Sequence, residues 1–299
     1  IVASVPLISG IFGGIGVTAW QQLITKCVPP KRRHSLFAIR FAINCAIGIL
    51  AGETIRRVLT LWPNTTGYAV LHFCAFAMLL GSLIAFILVR EPHENRPPPG
   101  PAPSLAGHLA SVPGLLRGDR QFLRLLAARF FLSGTYVVTP FLSIYCLSVL
   151  HQPDSYLGQL VIVQMCGAVC GNLLAAWLGD HFGSKVTLTM GAVIFSIMAA
   201  WAMTAHGAPA WQAIFFLHGF GFFACEVGTN AVGLEMGPRE RRSTYLAVAS
   251  LANLAGMLTA AGISAMVWQA HRFDLLALLT ICSMAMGAYH VSRLHGLRH

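Results

Sequence analysis

The chain has 299 residues, 56% of them hydrophobic and only 10% charged, with a formal net charge of +10. A water-facing globular surface needs about 25% charged residues, so a soluble domain is excluded. The basic residues are scattered through loops rather than gathered on one, so no nucleic-acid partner is expected.

Crossing a bilayer takes roughly 20 apolar residues, and nine stretches reach about that length. In chain order they lie near Ile1–Ile24, Leu36–Ile55, Tyr68–Val89, Leu125–Leu150, Leu157–Leu178, Val186–Ala205, Trp211–Met236, Thr244–Trp268 and Leu275–Val291. The expected fold class is an all-α polytopic membrane protein. Between the third and fourth stretches, residues 90–124 include the run Arg96-Pro97-Pro98-Pro99-Gly100-Pro101-Ala102-Pro103, which favours extended, semi-rigid backbone. The other loops are short. One long linker implies two helix bundles: residues 1–89 as the remainder of a first, 90–124 as a Pro-rich cytoplasmic linker, and 125–299 as a six-helix second. Ile1 begins inside an apolar stretch, and nine spans is an odd number. The expectation is a chain that lacks its first three helices.

Lys and Arg fall unevenly on the loops. The loops on the side of the linker and the C-terminal tail hold fifteen, and the opposite side holds Arg56, Arg57 and Arg272. Positive residues stay on the cytoplasmic side, which predicts a multi-pass inner-membrane protein with a cytoplasmic C-terminus. Arg56 and Arg57 run against the rule, and Glu53 one turn earlier is placed to offset one of them. Eight cysteines sit almost entirely within the apolar stretches, and none forms a Cys-x-x-Cys pair. They are expected to be small packing residues, without a disulfide framework or a metal site.

The turn after the fifth stretch reads Ala176-Trp177-Leu178-Gly179-Asp180-His181-Phe182-Gly183-Ser184-Lys185. It resembles the cytoplasmic signature turn of the major facilitator superfamily, Gly-x-x-x-Asp-Arg-x-Gly-Arg-Lys. Asp180, Gly183 and Lys185 match, while Ala176 and His181 depart from the pattern. The basic segment Val28-Pro29-Pro30-Lys31-Arg32-Arg33 also looks like that family. The resemblance implies two six-helix halves joined by a long cytoplasmic loop, with helices four to twelve of twelve present here. It further implies that the Asp180–Lys185 turn is a gate on the cytoplasmic side. The Gly48-x-x-x-Gly52 pair stands where many drug/proton antiporters of the family carry Gly-Pro, which argues against that subgroup.

A polar side chain in hydrocarbon is costly and marks a site, a packing partner or a water path. Candidates fall on single helix faces: Arg40 and Asn44 with Gly48 and Gly52; Arg129, Ser133, Tyr136, Pro140 and Ser143; Gln164 and Asn172 beside Gly167-x-x-x-Gly171; His218, Glu226 and Asn230; and Asn253 with Gly256. In the family the corresponding helices face a central cavity. The expected cavity residues are Arg40, Asn44, Tyr136, Gln164, Asn172, His218, Asn230 and Asn253. Arg40 and Arg129 stand about a turn from the interface and have snorkelling as an alternative, and the glycine repeats have close helix packing. Glu226, at mid-bilayer depth, is the candidate for coupling protons to transport. Glu235 and Arg239 are spaced as a local ion pair.

The expected function is secondary active transport of a small solute by alternating access, coupled to protons. No cofactor is expected, the partners are the lipid bilayer and the solute, and the protein is expected to be a monomer. No Gly-x-x-x-x-Gly-Lys-Ser/Thr loop for an ATP-driven pump occurs. Two alternatives are a membrane-embedded enzyme and a non-transporting scaffold or sensor. The first would need clustered acid/base or metal groups, but His-Glu-x-x-His, Gly-x-Ser-x-Gly and paired aspartates are absent from the sequence, so no catalytic residues are expected.

Overall fold

The computed structural model describes residues 30–89, 114, 118–235 and 242–294. Nine α-helices occupy these residues: α1 Pro30–Leu61, α2 Thr65–Ile87, α3 Arg120–Leu132, α4 Thr135–Leu150, α5 Tyr156–Phe182, α6 Ser184–Ala202, α7 Ala208–Glu235, α8 Arg242–Gln269 and α9 Phe273–Ser292. Taking α3 and α4 together, seven spans among the described residues are long and apolar enough to cross a membrane. The predicted Ile1–Ile24 stretch lies outside the described residues, as does the Glu235–Arg239 pair.

Helix α1 runs 32 residues, about 48 Å at 1.5 Å per residue, and outruns the expected Leu36–Ile55 at both ends. Pro30 opens it, since proline fits the first helical position, where its missing N–H is not needed. The basic run expected in a loop is therefore helical. At the other end Arg56 and Arg57 lie inside the helix, and Glu53 serves both: Arg56 donates at 2.7 and 2.8 Å and Arg57 at 2.6 Å. The sequence had promised relief for only one.

The chain forms two compact units, Ile1–Asn44 with Tyr68–Ala102, and Cys45–Gly67 with Pro103–His299. The first contains most of α2, whose core window has a mean hydropathy of 2.3 and no buried residue. In the second, α7 packs against α5 and α6, α9 against α6 and α3, and α8 against α3 and α4. Phe122, Leu142, Phe195, Met198, Trp211, Leu276 and Met284 fill its core.

Glycine decides how close α5 and α7 come. A methyl group added at Gly167 would strike the carbonyl oxygen of Phe216, at Gly171 that of Phe220, and at Gly219 that of Gln164. These repeats are packing seams of the small-residue kind that membrane helices use. Gly52 and Gly158 meet in the same way between α1 and α5, so Gly48-x-x-x-Gly52 is also a packing seam.

Two expectations are corrected. The expected Leu125–Leu150 span is one span, but its helix is interrupted at Ser133–Gly134, where the backbone stays right-handed. The cysteines are not uniformly packed: Cys45, Cys146 and Cys225 are buried, whereas Cys74, Cys166, Cys170 and Cys282 are exposed. Cys27 lies outside the described residues. In a bilayer an exposed thiol can face lipid as a small apolar group, which is why burial was not required.

Candidate functional site

The polar contacts of the second unit converge where α3 gives way to α4. Ser133 Oγ lies 2.9 Å from Asn253 Oδ1 on α8 and 2.9 Å from its own helix's Arg129 carbonyl oxygen. The Phe131 carbonyl, which already accepts the Gly134 N–H at 2.9 Å, also accepts from Ser283 Oγ on α9 at 2.6 Å. Backbone groups in hydrocarbon need partners; here the turn's own N–H groups supply them and Ser283 of α9 adds one.

Arg129 does not snorkel. It is 7% exposed, and its Nη2 donates to the Thr229 carbonyl on α7 at 2.9 Å. One turn after the break, Tyr136 meets Phe222 of α7 edge-on at 5.9 Å and interacts electrostatically with Glu226. Further along α4, Thr139 Oγ1 donates to the Thr135 carbonyl at 2.7 Å and sits 3.0 Å from His218 Nε2. His218 Nδ1 is buried with no hydrogen-bond partner among the described residues.

Of the expected cavity residues, the structure thus brings Tyr136, His218 and Asn253 to one region, with Arg129 beside them; Glu226, the proton-coupling candidate, is exposed on α7. Gln164 is half-buried on α5. Asn172 turns its amide back onto the Ala168 carbonyl at 3.0 Å, and Asn230 is exposed on α7. Arg40 and Asn44 are exposed and belong to the other compact unit. Thr139 and Thr229 went unnoticed in the sequence. Thr139 stands four residues after Thr135, a spacing that shows which face it shares. Thr229 acts through its carbonyl, which no side-chain pattern reveals.

A family model described as Major Facilitator Superfamily matches residues 1–261. The chain belongs to that superfamily. It is a multi-pass membrane transporter acting on small solutes, built on the all-α fold of the family. Among solved structures, a bacterial homologue of the human lysosomal transporter Spinster, in an inward-facing and occupied conformation, is similar over 91% of this chain and 70% of its own, at 14% identity and a TM-score of 0.46. No curated protein matches the chain.

The superfamily's signature turn joins α5 to α6. Gly183 adopts φ 85° and ψ 163°, a region that side-chain-bearing residues avoid, and its N–H closes onto the Gly179 carbonyl at 3.0 Å. Asp180 is exposed. Lys185 reaches across to the Leu294 carbonyl just past α9, and Arg124 of α3 donates to the neighbouring Arg293 carbonyl at 3.0 Å. Two cations thus cap the negative end of one helix dipole. Nearby, Asp119 caps α3 through the N–H groups of Gln121 and Phe122 and accepts from Tyr245 of α8 at 3.1 Å. At the opposite end of the unit, Arg272 precedes α9 and pairs with Asp274 at 2.7 Å, hydrogen bonding that raises the Arg272 pKa.

Proposed function

We propose that this superfamily member is a secondary active transporter that moves its solute by alternating access and couples the movement to protons through Glu226. The convergence of α3, α4, α7 and α8 on one polar region supports this most directly. Within it, Ser133 bonds to Asn253, Thr139 to His218 and Arg129 to the Thr229 carbonyl, with Tyr136 in the field of Glu226. Ionisable groups kept at membrane depth mark substrate paths and proton relays.

In this reading Tyr136, His218 and Asn253 line the cavity with Gln164, Asn172 and Asn230. The Asp180–Gly183–Lys185 turn serves as the cytoplasmic gate. The charge asymmetry of the loops supports a cytoplasmic C-terminus in an inner membrane, and the protein works as a monomer. Glu226 binds a proton while its surroundings are dry and releases it when the cavity opens to water, because burial disfavours the charged carboxylate.

The test uses pyranine-loaded proteoliposomes and a panel of organic acids, amino acids, sugars and organic cations. A substrate should move protons with it and accumulate against its gradient when a proton gradient is imposed. Glu226→Gln should keep solute exchange and lose uphill accumulation. A Glu226→Gln protein that still concentrates solute on a proton gradient would remove Glu226 from the coupling step.

A further inference from the structure

Arg129 is a buried arginine. A guanidinium offers five N–H donors. One satisfies the Thr229 carbonyl, and Nε is buried with no partner among the described residues. The ion pairs of the described residues engage Arg56, Arg57 and Arg272, and none supplies a carboxylate to Arg129. A cation without a counter-charge is expensive in a low-dielectric interior. Holding the Thr229 carbonyl would need only a neutral amide, so the charge itself answers to something else.

The position says what. Ser133 is one turn along and bonded to Asn253, Tyr136 follows after the helix break, and Thr229 is one turn beyond Glu226 on α7. Arg129 therefore belongs to the polar region of the proposed transport site. We infer that Arg129 is the anion-receiving group of that site, and that the transported solute carries a carboxylate or phosphate. This rests on the transporter reading. In the state seen here the Thr229 carbonyl holds the guanidinium in place. The substrate's oxyanion takes over that bond and adds a second at Nε, in the two-point geometry arginine favours with such groups.

The experiment measures thermal unfolding of the protein in lipid nanodiscs with succinate, lactate, glycerol 3-phosphate, inorganic phosphate, glucose or tetramethylammonium, each up to about 10 mM, since a ligand specific to the folded state raises Tm. At least one anion should raise Tm saturably, and glucose and tetramethylammonium should not. Arg129→Met removes an unpaired charge while keeping length, so its unliganded Tm should rise while the anion effect weakens at least ten-fold. Arg129→Lys keeps the charge but loses the fork, and should bind several-fold more weakly. An Arg129→Met protein that responds to the anion as the wild type does would overturn the inference. Should Arg129→Met fail to fold, an Arg129→Lys protein with unchanged affinity would do the same. Stabilisation and transport of glucose or tetramethylammonium alone would overturn it while leaving the transporter reading intact. No response to any probe overturns the anion site, and the proton-flux assay then judges the transporter reading separately.

Discussion

Helix α7 has two sides built on different principles. Toward α5 it presents Gly219 and the carbonyls of Phe216 and Phe220, so the two backbones lie against each other with no side chain between them. Toward α3 and α4 it presents His218, Phe222, Glu226 and the Thr229 carbonyl, and every contact there is made by a side chain that can turn. The first joint is set by shape and has one solution. The second is set by hydrogen bonds between groups that have other partners available. A transporter needs both, a rigid half that moves as a body and a lining that can exchange its bonds for those of a solute.

Breaking the rigid side should have the largest effect. Gly219→Val drives methyl groups into the Gln164 backbone, which cannot retreat without parting α5 from α7. Overpacking against backbone should cost about 3 kcal/mol, the upper end of the usual range, read as loss of monodisperse protein on size exclusion. A Gly219→Val protein with wild-type yield and Tm would show that the seam yields, and the contrast would dissolve. On the adaptable side, Asn253→Ala removes one of three acceptors from Ser133, which keeps the carbonyls of Arg129 and of residue 253. The expected loss is about 1 kcal/mol, a Tm lower by a few degrees, together with weaker solute binding. A loss as large as that of Gly219→Val would make the polar region structural. At the rim, Lys185→Ala leaves Arg124 as the remaining cation on the carbonyls past α9, and should cost about 0.5–1 kcal/mol. That is a small Tm change, readable in a titration with denaturant.

The helices were legible because the bilayer demands long uninterrupted apolar runs, and seven of the predicted spans match helices to within a few residues. The polar candidates were legible as residue types, since Tyr136, His218, Glu226 and Asn253 stand out against an apolar background. Their partners were not. Hydrophobicity does not register a break two residues long, and Ser133-Gly134 reads as a small-residue pair in any membrane helix. The Arg129–Thr229 and Lys185–Leu294 bonds end on carbonyl oxygens, which every residue has. Whether a glycine pair is a seam or a substrate path depends on what lies opposite, and for Gly167 and Gly171 only the structure brings Phe216 and Phe220 into view.

The α5–α7 seam has a further property. Gly167 and Gly171 are one turn apart, and the carbonyls they meet, Phe216 and Phe220, are one turn apart as well. Such a repeat fits itself again after a slip of about 5.4 Å, the step by which packed helices ratchet past one another. Gly219 removes the second register. Its contact with Gln164 comes from the α7 side and has no copy one turn away, where Phe215 and Phe223 stand. A slip would set a phenylalanine where only a hydrogen atom fits. One glycine on α7 therefore converts a sliding track into a keyed joint.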